Sequence, residues 1–261
     1  MDSTSGVRLP VLMYHHIGPR HPQTHYELTI EPKQFARQVR WLVKNGYTGI
    51  RASDWLARKL HGSPLPKKPV LLTFDDAYAD TFEYALPILA QYNFRATVFV
   101  VSAMVGQRDA WNESEVSKSV LKLATREQIL EWSLRDMEMG GHGRTHADLT
   151  ALDELHLQAE VVGGKKELAL IAGEEPTSFA YPYGSYDEAL EKVVRKNYEL
   201  AFSATPGVNT LSTDSHLLLR LMVDPRCSIW QFGQCLKTGR KAEPSLAGRV
   251  RRKITGLIRK S

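Results

Sequence analysis

The chain reads as an α/β domain built on parallel strands. Two observations carry that reading. Short apolar runs alternate with longer segments of helical period, and one run, Pro69 to Phe74 (PVLLTF), is apolar almost without a break, as strands covered on both faces are. In addition, no internal repeat or low-complexity linker interrupts the sequence before its last stretch. One domain over residues 1–236 is therefore expected, followed by a basic tail, 237–261. At 261 residues the chain is long enough for a single α/β barrel.

The elements follow in order. LPVLMYHHI, from Leu9, predicts the first strand. EPKQFARQVRWLVKNGY predicts an amphipathic helix with Phe35, Val39, Leu42 and Val43 in one stripe, closed by Asn45 and Gly46. After PVLLTF come a helix (TFEYALPILAQY), a strand (RATVFVV) and a polar loop around Trp111. Thr125 and Gln128 form a capping box that opens a helix through Trp132. MEMGGHGRTHADLTAL interrupts the helices with glycines and histidines, and Thr150 begins the next helix. TSFAYPYG predicts a strand running into a rigid turn; a helix from Asp187 to Asn197, the strand LAFSA and the apolar HLLLRLMV complete the body.

Charge is unevenly placed. Of 34 Lys/Arg and 29 Asp/Glu, residues 237–261 hold nine and one, which leaves 25 basic against 28 acidic residues in the body. A mildly acidic body predicts no nucleic-acid partner. In the tail, Val250, Ile254, Leu257 and Ile258 fall on one helical face between cations, a pattern that suits peripheral contact with an anionic membrane; a solvated, frayed terminus is the alternative. The first ten residues lack the basic start and apolar middle of a signal peptide, and no apolar run approaches the ~20 residues of a membrane span, so a cytoplasmic place, at most against the inner face of the membrane, is expected. Cys227 and Cys235, with seven residues between them, match neither a redox pair nor a zinc knuckle and read as buried free thiols.

Several residues at strand ends carry chemistry. Asp75 and Asp76 follow PVLLTF directly, and two carboxylates that close raise one another's pKa unless a cation or hydrogen bonds intervene. The plainer explanation is that they open the next helix as caps. His142 and His146 lie four apart, the spacing that puts two imidazoles on one side of a helical turn and lets both reach one ion; two surface histidines on a loop are the alternative. Two His and one Asp leave coordination positions open, as catalytic metal sites do. YPYG, 181–184, offers a stiff turn whose N–H groups could face an oxyanion, a weak signal by itself. His15 and His16 are adjacent on a strand, so only one can face the mouth. The run DDAYAD also looks like an Asp-rich diphosphate motif, but such motifs sit on helices and this one follows a strand.

LTFDDAY, GGHGRTHADLT and FAYPYG, in this order, resemble the polysaccharide deacetylases with a NodB homology domain, carbohydrate esterase family 4. The resemblance runs from VLMYHHI to IWQF. It implies a distorted (β/α) barrel of about seven parallel strands and metal-dependent removal of N-acetyl groups from the amino sugars of a glycan, glycoconjugate or lipid-linked sugar. It further implies Asp75 as general base, Asp76, His142 and His146 as ligands to a divalent metal, most simply Zn2+, the Tyr183 N–H in the oxyanion hole, and His15 as the acid, with His16 structural. The chain departs from the family in two places. Ala77 stands where Gly is usual, and a positive φ there would cost ~1 kcal/mol. Ala180 stands where many members carry an Arg that orients the base, which leaves Arg220 as the candidate, or else a carbohydrate-binding relic without turnover.

Overall fold

The structure, a computed structural model, describes residues 6–20, 26–112 and 121–240; most of the basic tail lies outside them. Its first half runs β1 (Leu9–Tyr14), β2 (His16–Ile17), β3 (Thr29–Ile30), α1 (Pro32–Lys44), β4 (Thr48–Ile50), α2 (Ala52–His61), β5 (Pro69–Phe74), α3 (Ala79–Gln91) and β6 (Thr97–Val100). Then come α4 (Arg126–Leu134), β7 (Glu138–Gly141) and α5 (Glu154–Gln158), which continues through a π turn (Ala159–Gly163) into α6 (Gly164–Ala172). The chain ends with β8 (Ser178–Ala180), α7 (Glu188–Asn197), β9 (Leu200–Phe202), β10 (Val208–Asn209), β11 (Leu221–Met222) and α8 (Ile229–Thr238).

Parallel ladders join β11, β1, β5, β6, β7, β8 and β9 in that order. Leu218, just upstream of β11, bridges in parallel to Phe202 of β9, so the ring returns on itself as the expected distorted barrel. β4 lies beside the lower half of β5, and β10 pairs antiparallel with the start of β1. The register sets the mouth. Tyr14 pairs with Phe74, Phe74 with Val98, Val100 with Gly141, and Ala180 with Phe202, so the residues that follow these strands emerge at the same end of the ring.

Below the mouth, Phe74 meets the rings of Tyr14, Phe35 and Trp132 at 5.5, 5.8 and 6.2 Å, which seals the ring wall against α1 and α4. Phe35, Val39 and Leu42 are fully buried, but Val43 is 38% exposed and falls outside the stripe. Its place is taken by two glutamines with partners: Gln38 accepts from the Tyr14 hydroxyl, and Gln34 donates to the Pro225 carbonyl.

The structure differs from the sequence expectations elsewhere too. The first strand stops at Tyr14, because Thr81 accepts from the Ile17 N–H and donates to the His15 carbonyl, pulling the chain off the ladder; His16 and Ile17 pair with β3 instead. The glycine-rich stretch is not a simple interruption but contains β7, where a Cβ at Gly140 would come within 2.6 Å of the Phe99 ring. β4 and α2 are additional. The helix near Thr150 starts later, at Glu154, where Asp153 accepts from the His156 N–H. Within HLLLRLMV only Leu221 and Met222 form strand. Cys227 and Cys235 are half-buried rather than buried. No described helix is long and apolar enough to cross a membrane.

The revised face of α1 has a direct test. Val39→Ala should cost ~2 kcal/mol in urea denaturation because it empties a fully buried position, whereas Val43→Ala should stay within ~0.5 kcal/mol.

Candidate active site

Beyond β5 the backbone turns through two left-handed residues, Asp76 at φ 71° and Ala77 at φ 54°. The methyl of Ala77 therefore sits where the sequence anticipated strain, at about 1 kcal/mol relative to glycine. Neither carboxylate caps the following helix: the residue before α3 is Tyr78, and no side chain caps it. Both aspartates are instead buried at the mouth.

Asp75 Oδ1 accepts from Arg220 Nη1 at 2.6 Å. Arg220 is itself buried, its Nε donating to the Ser203 carbonyl at 2.8 Å and its guanidinium lying 5.7 Å over the Phe99 ring. Burial works against the charge on Asp75, but Arg220, with His142 and His15, outweighs it and holds the carboxyl below its ordinary pKa. On the other side, His15 Nε2 stands 4.0 Å from Asp75 Oδ2, part-exposed to the mouth. Burial depresses the His15 pKa, against the opposing pull of Asp75 and Asp76. His16 faces away, its ring nitrogens on Asp80 (2.9 Å) and Thr29 (3.2 Å).

Asp76 faces the two histidines. His142 Nδ1 lies 2.7 Å from the Ala180 carbonyl, which can only accept, so Nδ1 carries a proton, and in the neutral ring Nε2 turns a lone pair toward Asp76 Oδ1 at 3.5 Å. His146 Nε2 is 3.3 Å from the same oxygen. The two imidazoles are not on a helical turn, as their spacing suggested; they lie on a loop after β7, with Gly143 at φ 74° and His146 at φ 61°. Burial opposes the charge on Asp76, and the facing imidazoles outweigh it when they are protonated, so that this carboxyl is then held well below the usual range.

These three groups fit a metal ion. Their ligand atoms lie within 4.8 Å of one another, and Asp76 Oδ1 is buried without a hydrogen-bond partner among the described residues. Bonds of ~2.1 Å at tetrahedral angles set ligand atoms about 3.4 Å apart, close to both separations seen. A carboxylate oxygen facing a lone pair in a dry site is repulsive unless a proton or a metal ion lies between them.

Two supporting residues escaped the sequence reading. Glu160, in the π turn, accepts from the Arg144 and Thr145 N–H groups at 2.7 and 2.9 Å and from the Thr145 hydroxyl at 2.6 Å, clamping the loop between the histidines. The signal was the Gly163-Gly164 pair inside a helical pattern: a Cβ on Gly164 would meet the Gly143 backbone at 3.2 Å, so glycine lets the helix approach the loop. Trp111 stacks on the His146 ring (centroids 4.4 Å), and Tyr183 meets the same ring edge-on (4.6 Å). Tyr183 is 58% exposed, at φ 59°, in the turn after β8. All seven residues singled out in the sequence thus lie around this mouth.

The model of the family described as Polysaccharide deacetylase matches residues 62–200, a span that holds Asp75, Asp76, His142, His146 and Tyr183 but neither His15 nor Arg220. The Bacillus subtilis protein YxkH, whose name places it among the polysaccharide deacetylases, is 27% identical over 232 residues, 88% of this chain and 77% of its own. The poly-beta-1,6-N-acetyl-D-glucosamine N-deacetylase of Staphylococcus aureus is 24% identical over 197 residues, 75% of this chain and 68% of its own. The solved structure of Streptococcus pyogenes deacetylase PplD, in complex with acetate, superposes with a TM-score of 0.76 at 24% identity, covering 91% of this chain and 99% of that one.

The clamp and the ion pair each predict a measurable loss. Glu160→Ala should weaken divalent metal binding ~10–100-fold in a calorimetric titration, because the loop carrying His142 and His146 loses its anchor. Arg220→Met should cost ~3–5 kcal/mol in chemical denaturation, since it leaves Asp75 buried and unpaired. Adding Asp75→Asn to the same chain should recover part of that loss.

Proposed function

The chain belongs to the polysaccharide deacetylase family, and from that premise we propose that it is a metal-dependent hydrolase removing N-acetyl groups from the amino sugars of a glycan. The observation that carries the proposal is the pairing of two unlike carboxylate sites at one mouth: Asp75 held by Arg220, and Asp76 facing two imidazoles at 3.3 and 3.5 Å. Two buried carboxylates in different environments are what a hydrolase needs to separate a base from a ligand. The name of the Staphylococcus aureus relative supports an N-acetylglucosamine polymer as the substrate class.

Asp76, His142 and His146 would hold the ion, and the mixed nitrogen and oxygen donor set favours zinc. Such an ion would polarise the acetyl carbonyl and lower the pKa of a water at its open position. Asp75, kept ionised by Arg220, takes the proton of the attacking water. The guanidinium also fixes the carboxylate, so that only Oδ2 is left to face His15. The Tyr183 N–H, on its left-handed turn, stabilises the oxygen as it becomes negative. As the C–N bond breaks, His15 gives a proton to the sugar nitrogen, and acetate and a free amine leave; without that proton the nitrogen is a very poor leaving group. Trp111 and Tyr183 flank the ion site and offer flat apolar surface to the sugar.

The carbohydrate-binding relic rested on the missing Arg at Ala180. Arg220, 2.6 Å from Asp75, removes that ground for it.

The test is acetate release from N-acetylglucosamine oligomers. The purified protein should release acetate, lose that activity to a chelator and regain it with zinc. Asp75→Asn should lower kcat ~10²–10⁴-fold while metal binding persists. Wild-type protein that takes up no metal and releases no acetate would refute the proposal.

A further inference from the structure

His15 stands between Tyr14, the last residue of β1, and His16, the first of β2. Its Nε2 is 4.0 Å from Asp75 Oδ2, too far for a hydrogen bond, so that contact does not aim the ring. The direction of the imidazole depends instead on the backbone that carries it, and that backbone is tied on both sides. Upstream, the Asp75 N–H donates to the Tyr14 carbonyl at 2.9 Å. Thr81, fully buried, donates to the His15 carbonyl and accepts from the Ile17 N–H, both at 2.9 Å. The His16 ring, buried, lies between Asp80 Oδ2 at 2.9 Å and Thr29 Oγ1 at 3.2 Å, with its edge against Tyr78.

Packing alone does not ask for such an arrangement. An apolar side chain at position 16 would bury as well and need no partner, and a buried polar pair stabilises little beyond an apolar one of like size. What the pair adds is direction. Asp80 and Thr29 address the two ring nitrogens separately, so the His16 imidazole cannot rotate without leaving one of them. Neighbouring side chains of an extended chain point to opposite faces, so holding the His16 ring inward holds the His15 ring toward the mouth. The space around the pair is closed too: a Cβ at Gly18 would come within 2.6 Å of His16 Nε2 and 2.9 Å of Asp80 Oδ2. Asp80 and Thr81 lie in the first turn of α3, directly after the turn that carries Asp75 and Asp76. One short segment, 75–81, thus supplies both carboxylates of the mouth and the hold on the histidine that faces them.

We propose that Asp80, acting through His16, and Thr81 are positioning residues that aim His15 into the mouth. The inference rests on the acid role given to His15 above and adds to it the groups that place the acid. A proton reaches the departing nitrogen only along a short, aligned path, so an imidazole free to swing slows C–N cleavage without changing how tightly the sugar binds. An acetate ester with an activated leaving group needs no such proton, and its hydrolysis is spared.

Two substitutions and two readouts test this. In Asp80→Ala and in Thr81→Val, kcat on N-acetylglucosamine oligomers should fall ~10–100-fold with KM unchanged. Hydrolysis of 4-nitrophenyl acetate by the same proteins should stay within ~2-fold of wild type. The conservative variants Asp80→Asn and Thr81→Ser, which keep an acceptor or a hydroxyl in place, should restore most of the loss. The second readout needs no turnover: modification of the purified protein by diethylpyrocarbonate, with each histidine resolved by mass spectrometry. His15 should react several-fold faster in Asp80→Ala and Thr81→Val than in wild type, while His142 and His146 keep their wild-type rates. If Asp80→Ala misfolds, Thr81→Val, which leaves the His16 and Asp80 side chains intact, carries the test. Unchanged labelling of His15 in the folded variants overturns the proposal. So do equal losses on both substrates, or labelling that rises alike at His15, His142 and His146, since either marks a structural role only. Should the wild-type protein hydrolyse neither substrate, the deacetylase reading fails, and the labelling of His15 alone decides whether Asp80 and Thr81 hold it.

Discussion

Two carboxylates side by side in a dry site are the constraint around which this protein is organised. A buried charge must meet a partner, and leaving one unpaired costs several kcal/mol. Asp75 and Asp76 are consecutive, yet their partners come from opposite parts of the chain: Arg220 from just before the last strand, His142 and His146 from the loop after β7. The ring of parallel strands is what brings them together. Its parallel strands all finish at the same end, so that side chains 145 positions apart in sequence share one hydrogen bond.

The same mouth collects backbone strain. Asp76, Ala77, His146 and Tyr183 are all non-glycine residues at positive φ, each costing on the order of 1 kcal/mol or more. Such positions persist only where the surroundings over-determine them. Here the determinants are visible: Glu160 grips the backbone between the histidines, the rings of Trp111 and Tyr183 flank His146, and Phe74, Tyr14 and Phe35 form a rigid wall below. The arrangement spends stability at the rim, where groups must be aimed, and recovers it in the aromatic layer beneath.

Much of this was legible in the sequence because the fold and the site use local rules. An unbroken apolar run announces a covered strand, Thr125 with Gln128 announces a helix start, and chemistry-bearing residues that follow strands gather at one end of a parallel barrel. What was not legible depended on partners distant in sequence. Val43 satisfies the helical period as well as Val39, and only the hydrogen bonds of Gln34 and Gln38 show which edge of α1 is inside. β7 has poor strand propensity because Phe99 needs the space a side chain would fill at Gly140. The histidine pair has helical spacing without a helix, because its geometry is imposed by Glu160 from another segment. Arg220 was reached only by noticing that Ala180 stands where a cation is usual; nothing in its own neighbourhood marks it.

That origin of Arg220 has a consequence for how the molecule comes into being. During vectorial synthesis both aspartates, His142 and His146 leave the ribosome well ahead of the segment that supplies the guanidinium. Until Leu218 bridges to Phe202 and β11 takes its place beside β1, Asp75 has no counter-charge. A nascent chain, or one clipped before residue 220, therefore lacks the group that pairs and aims Asp75 once it is buried. The pairing of Asp75 with Arg220 arrives together with the completed ring, and a copy without that last segment has a mouth with an unpaired carboxylate.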